Sequence, residues 1–170
     1  MSNIPSTPAD GNVRTDIVTA IADIKVPKLT ELNAATTKNV SCYITAGGFT
    51  FTPEQATISD DRECDTFTAS QPGRVSAGSP TITVIDNTGT AIATTANVAV
   101  DTLVPGSTVY VVRRYGLAYD AAYATTVQKV DVLQVKVGKK QRIQPEANSV
   151  LRSTYALFVQ DFAQDVAIAA

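Results

Sequence analysis

Branching at Cβ constrains this chain more than any other feature. Twenty Val, 11 Ile and 23 Thr stand against only 7 Leu among 170 residues. A branched Cβ stiffens χ1 and suits the pleated surface of a sheet better than a helical turn. The expected fold class is therefore mainly β, a β-sandwich or partial barrel with one short flanking α-helix. The length fits one domain with a single sizeable core. Residues 14–170 are expected to form it, behind a polar, Pro-bearing arm at residues 1–13 that carries the turn-like Asp10-Gly11-Asn12.

Composition excludes several function classes. There is no histidine, which removes Ser-His-Asp and Cys-His triads, imidazole proton shuttles and most zinc sites. The net charge is -2, whereas a domain that grips phosphates is basic. Cys42 and Cys64 are too few for a disulfide framework and are expected to be reduced core residues. No stretch approaches the roughly 20 apolar residues of a membrane span. The first residues lack an apolar signal region, so the chain is expected to fold in a cytoplasm.

Along the chain, residues 16–24 fit helical and strand periodicity equally, and Pro27 ends them. Residues 30–33 suit one helical turn. Strands are expected at 40–45, 49–51, 65–69 and 81–85, with turns at Gly47-Gly48, Pro72-Gly73 and Asp86-Asn87-Thr88-Gly89. Residues 57–63 read as an acidic connection. A helix is expected over 94–104, capped by Thr94 or Thr95 and ended by Pro105-Gly106. Strands follow at 107–114 and 130–137, the second with a pattern slip at Val132-Leu133 that suggests a bulge. Gly138-Lys139-Lys140 reads as a turn, and the last strands as 150–159 and 165–169.

Few residues suggest chemistry. Asp60, Asp61, Glu63 and Asp65 are the sole carboxylate concentration and could hold a hard cation or act as acid and base. They lack the register of a calcium loop, and a solvated loop is the plainer reading. Ala46-Gly47-Gly48-Phe49 lacks the Lys of a phosphate cradle. Arg113-Arg114 and Lys139-Lys140-Gln141-Arg142 lack the interleaved aromatics of a nucleic-acid surface; they read as a solvated edge or a salt bridge to a neighbour. Tyr115, Tyr119 and Tyr123 step by four and could stripe a helical turn. No reactive constellation emerges, so no enzyme and no cofactor are expected. The residues alone describe an acidic, mostly β, non-catalytic module.

Several segments taken in order carry a resemblance. They are Ala22-Asp23-Ile24 with Pro27 and Glu31-Leu32-Asn33-Ala34; Leu103-Val104-Pro105-Gly106-Ser107 leading to Tyr110-Val111-Val112-Arg113-Arg114-Tyr115-Gly116; Lys129-Val130-Asp131-Val132; and Gln144-Pro145-Glu146-Ala147-Asn148-Ser149-Val150-Leu151-Arg152, followed by a closing Asp165-Val166-Ala167. Over roughly residues 20–170 this order resembles the major tail proteins, the tail tube subunits, of long non-contractile-tailed phages of the actinobacterial type. The resemblance implies a β-sandwich with a flanking helix. It implies rings of six that stack into the tail tube of a virion assembled in the host cytoplasm, through which genome DNA is ejected. Its partners would be further copies, a tape-measure protein, a tail terminator and a baseplate or distal tail protein, with transient passage of double-stranded DNA and no membrane. Pro145, Glu146, Asn148, Arg152, Arg113 and Arg114 become candidate assembly residues, and Asp60, Asp61 and Glu63 a candidate acidic loop.

Physics favours such a subunit. Ring closure pairs sheet edges that otherwise invite uncontrolled association, and head-to-tail stacking gives an open filament. A neutral or acidic lumen lets DNA slide, so the inner wall is expected to be net acidic. The arm at 1–13 and the loop at 54–65 are expected to order only on stacking. Two rival readings are an Ig-like capsid decoration or adhesion module and a small hydrolase using Asp60 and Glu63.

Overall fold

The computed structural model describes residues 4–64, 66–125 and 128–170. Nine strands and two short helices occur among them, in the order β1 (Val13–Val18), α1 (Leu29–Leu32), β2 (Lys38–Asn39), a 3-10 turn (Ser41–Tyr43), β3 (Ile44–Thr50), β4 (Glu54–Asp60), β5 (Ala69–Ser76), β6 (Thr81–Ile85), α2 (Val98–Thr102), β7 (Thr108–Tyr115), β8 (Lys129–Arg142) and β9 (Arg152–Ala167). Seven strands form one curled, half-barrel sheet in the order β2-β1-β7-β8-β9-β6-β3. The paired strands run antiparallel. β4 and β5 form a separate two-stranded hairpin. The mainly β expectation holds, in its partial-barrel form.

Both faces of the sheet are covered, which explains the runs of consecutive apolar residues in its centre. In a strand, neighbouring side chains point to opposite faces. Val111 and Leu133 enter one buried cluster with Ile17, Val84 and Tyr155, roofed by Ala99 and Leu103 around α2. Val112 and Val132 enter a second cluster, closed by Ile21, Ile24, Leu32 and Tyr123 from loops and α1. The doublet Val132-Leu133 is therefore split between two cores. A register shift against β9 falls beside it, between Val130 and Val132.

Several sequence expectations are corrected. Residues 16–24 form strand only to Val18 and then an irregular path. Residues 41–43 of the expected strand make the 3-10 turn. Gly47-Gly48 is not a hairpin turn but lies inside β3, at an irregularity against β6. A Cβ on Gly48 would sit 2.7 Å from the Thr45 and Thr83 carbonyl oxygens, so glycine marks a close backbone approach there. Gly138 plays the same part within β8, where a Cβ would lie 2.7 Å from the Ala156 oxygen. The expected turn at 138–140 is thus strand. The two closing strands are one, β9, because β8 supplies partners through the polar stretch between them. The helix near residue 100 is shorter than expected. It starts after Asn97, a buried residue whose Oδ1 accepts from the Asn87 N–H at 3.1 Å.

The acidic connection and the Pro72-Gly73 turn both belong to the hairpin, which pairs Glu54 with Ser76 and Asp60 with Ala69 around a shift near Thr57. Its side chains are exposed on both faces, apart from partial cover at Asp60 and Gly73. It therefore lacks the period-two signal of a half-buried strand. Its base is fixed where the Thr50 and Thr81 hydroxyls meet at 2.9 Å. Cys42 and Cys64 are both exposed, not core residues: one sits in the 3-10 turn and the other near the hairpin tip. Tyr115, Tyr119 and Tyr123 share no helix; Tyr123 is buried and the other two are exposed. Side chains 4–11 are exposed, while the Gly11 and Asn12 carbonyls accept from the Tyr119 and Gly116 N–H groups at 2.9 Å each.

Leu133→Ala should cost about 2–5 kcal/mol through lost burial and the cavity left behind. Gly48→Ala should cost about 1–3 kcal/mol through overpacking. Ile58→Ala, on the exposed hairpin, should change stability by less than about 0.5 kcal/mol. Urea unfolding of the three variants checks the ranking.

Candidate assembly surfaces

Residues 143–151 join β8 to β9. Pro145, Glu146 and Asn148 are exposed along this loop, and Arg152 opens β9 half-buried. Asn148 has φ 61, a left-handed conformation that Asn tolerates better than most side chains. Glu146 lies 3.9 Å from an Arg152 nitrogen, a long and exposed pairing that contributes little. The loop borders a depression of about 320 Å³ lined by Asp86, Thr88, Arg142, Pro145, Leu151 and Arg152 among others. The structure thus brings Pro145 and Arg152 to one place, with Glu146 and Asn148 on the loop beside it.

Asp86, which the sequence reading passed over as a turn residue, is the hub of that place. It is buried, and its carboxylate accepts from the Ser153 hydroxyl at 2.6 Å and from Lys140 at 2.7 Å. The Thr88 N–H donates to it at 3.0 Å. Burial alone raises its pKa, but Lys140, Ser153 and Thr88 together hold it well below the usual carboxylate range. The sequence offers Lys140 as part of a solvated edge or of a salt bridge to a neighbouring subunit; here its side chain is largely covered and pairs with Asp86 of its own chain. Arg142, 3.8 Å from the same carboxylate, keeps a side chain 69% exposed.

Arg113 and Arg114 lie at the other end of the sheet and are separated by the strand's own alternation. The Arg113 guanidinium stacks 4.3 Å from the Phe49 ring and donates to the Thr15 hydroxyl at 3.2 Å. Arg114 is buried on the opposite face. It donates to the Ala118 carbonyl at 2.8 Å and the Ala122 carbonyl at 3.1 Å. Arg14 joins it there, donating to Asp16 at 2.8 Å and to the Ala121 carbonyl at 2.6 Å. Both guanidinium groups lie over Tyr123, at 4.5 and 5.2 Å. This cluster binds residues 116–125 to the sheet, so the pair is no solvated edge. Asp16 is also fully buried, and desolvation raises its pKa against the pull of Arg14.

Asp60, Asp61 and Glu63 stand at the tip of the β4–β5 hairpin. Asp60 is held by its own Arg62, which donates at 3.1 and 3.0 Å. Asp61 and Glu63 are exposed, and Asp65 lies outside the described residues. Among those residues no group of three His, Cys, Asp or Glu side chains is placed to hold a metal ion.

The sheet borders are incomplete. β9 pairs with β8 along its length but with β6 only from Arg152 to Ala156. Beyond the Leu157 N–H, which donates to the Pro80 carbonyl at 2.9 Å, its outer border has no strand partner among the described residues. Phe158 is 59% exposed there. β3 ends the sheet on the same side, and the two-residue β2, beside β1, ends it on the other.

A half-barrel with open borders, a projecting hairpin and buried charge nodes that serve the fold defines a structural β subunit. The chain belongs to the phage tail tube protein family, whose family model matches residues 1–170. It is thus a structural component of the virion tail and not an enzyme. No curated protein matches it. Among solved structures it is similar to a chain of the anti-feeding prophage baseplate, determined by cryo-EM with 6-fold symmetrisation, at 14% identity and a TM-score of 0.51. That likeness covers 94% of this chain and 96% of the other, and it shows a shared fold.

Asp86 supplies a pH test. Its folded pKa is depressed, so its contribution is complete above the unfolded carboxylate value near 4 and is lost as pH falls through the folded one. Asp86→Asn should lower stability by about 2 kcal/mol at pH 7, since Lys140 loses its partner. The gap to the unaltered chain should narrow as pH drops below about 4. Thermal unfolding at several pH values measures both.

Proposed function

We propose that the chain is the major tail tube subunit, forming six-membered rings that stack into the conduit for genome ejection. The observation that carries this reading is the outer border of β9 beyond Leu157, which has no strand partner among the described residues. A long open strand border is a template for another chain, and pairing it with the β2–β1 border of a neighbour, on the opposite side of the sheet, would carry the sheet around a ring. The neighbour of similar fold within a 6-fold symmetrised baseplate supports the ring number.

Stacking falls to the parts that the body does not hold. An isolated two-stranded hairpin is marginal in water, and β4–β5 exposes Ile58 and Val75 on its surface. The arm, with Ile4 85% exposed, is a second such part. Both gain order when another ring covers them, so free subunits stay apart until assembly. The tape-measure protein would occupy the bore during assembly, with the terminator and the baseplate or distal tail protein at the two ends. The net charge of -2 suits a bore through which DNA slides without being held. Assembly would take place in the host cytoplasm.

Negative-stain microscopy of the purified protein, before and after concentration, should show tubes with six-fold cross-sections. A chain that stays monomeric at every concentration, or that native virions carry outside the tail shaft, would sink the reading. Replacing residues 54–76 by a short Gly-Ser link should leave the melting temperature within about 2 °C, a change of about 0.5 kcal/mol, while tubes disappear. Removing residues 1–8 should likewise impair tubes more than folding.

A further inference from the structure

The charge node beneath residues 116–125 leaves bonding capacity unused. Asp16, Arg114 and Tyr123 are 0%, 1% and 3% exposed. Each nevertheless keeps a buried polar atom with no hydrogen-bond partner among the described residues: Asp16 Oδ1, Arg114 Nε and Tyr123 Oη. Among those residues the one further atom of this kind is the Arg152 Nε. Three of the four therefore fall in one node. A buried donor or acceptor left unmet is costly, so three in one place call for a shared partner.

Strand geometry gathers the three side chains. Arg14 and Asp16 stand two apart on β1 and so share a face of the sheet. The register sets Arg14 opposite Arg114 on β7, and directly opposed residues of an antiparallel pair lie on one face. Tyr123 covers the same ground, its ring 4.5 Å from the Arg14 guanidinium carbon and 5.2 Å from that of Arg114. Its hydroxyl stands close enough to the Asp16 carboxylate to draw that pKa down. Even so, neither the hydroxyl nor Asp16 Oδ1 completes a hydrogen bond.

The bonds already made decide what remains. Asp16 Oδ2 accepts from the Arg14 Nε at 2.8 Å. The terminal nitrogens of Arg114 serve the Ala118 and Ala122 carbonyls and the Gln128 Oε1. What is left is one acceptor, one N–H donor and one hydroxyl that can act either way. Two guanidinium groups disfavour a cation there, and the Asp16 carboxylate disfavours an anion. Water is neutral, has two donors and two acceptors, and typically makes about three bonds when buried.

We propose that Asp16, Arg114 and Tyr123 enclose an internal water molecule. It donates to Asp16 Oδ1 and accepts from the Arg114 Nε and from the Tyr123 hydroxyl. The site lies under residues 116–125, whose Gly116 and Tyr119 N–H groups donate to the Asn12 and Gly11 carbonyls at the root of the arm. The water thus ties the sheet to the segment that anchors the arm. It belongs to the single chain and does not depend on assembly.

A crystal or cryo-EM map of the full chain finer than about 2 Å tests the site directly. It should show an isolated peak within about 2.7–3.2 Å of all three atoms. A protein atom in that position, or direct bonding among the three groups, overturns the inference. Tyr123→Phe supplies a solution readout, since it removes one partner of the water and keeps the ring over both guanidinium groups. Circular dichroism and thermal unfolding check that the variant folds. Oxygen-17 relaxation dispersion of the unaltered chain should exceed that of the variant by up to one long-lived water per chain. Amide exchange at Gly116 and Tyr119 should quicken at least about threefold in the variant, as the segment loses a tie to the sheet. Equal dispersion in the two chains overturns the inference, and the map decides it independently of any variant.

Discussion

The pairing of β8 with β9 organises the molecule. These are the two longest strands, and their ladder runs from Lys129 opposite Ala167 to Arg142 opposite Ser153. β7 and then β1 extend the sheet on one side, β6 and then β3 on the other. Both buried clusters draw on β8, through Leu133 and Val135 on one face and Val130 and Val132 on the other. Its register shifts let a long hairpin curl instead of lying flat, since each extra residue bends the strand and increases local twist. Gly138 permits a close backbone approach at one of them.

Ionised groups are held at both ends of the sheet, with opposite consequences. Asp86 is stabilised as an anion by Lys140, Ser153 and Thr88, so it strengthens the fold at neutral pH. Asp16 is desolvated, and its raised pKa means that its contribution is complete in acid and is lost as pH climbs through the folded value. Arg14 and Arg114 limit that loss and also secure residues 116–125 by carbonyl hydrogen bonds. Removing either cation would leave loop carbonyls without donors as well as a buried carboxylate with less compensation.

The core strands were legible in the sequence because they carry the chemistry of strands. Residues 81–85 alternate cleanly, and Val109 to Val112 is a run of Val and Tyr that follows a Pro-Gly stop. The pair Arg113-Arg114 was not legible as a packed feature: its burial depends on Phe49 and Tyr123 arriving from distant segments. Glycines were misread for a related reason. Gly47, Gly48 and Gly138 look like turns in a row of letters; the neighbouring strand shows that Gly48 and Gly138 admit another backbone, while Gly47 takes a φ of 69 inside β3. The β4–β5 hairpin was hidden by its exposure. With neither face buried, nothing selects alternate apolar residues, so residues 57–63 read as a connection although β4 runs through Glu54–Asp60. Asp86 was found as a turn residue, but its partners Lys140 and Ser153 lie more than fifty positions away. The candidates Pro145 and Arg152 were legible only through resemblance, and the structure adds the depression that they border.

The Thr50 and Thr81 hydroxyls clasp the two chains of the hairpin where they leave the body. The exposed strands beyond them, β4 and β5, do not enter either buried cluster. Mutation in these exposed strands meets little resistance from folding, so related chains can diverge there while keeping one sheet underneath.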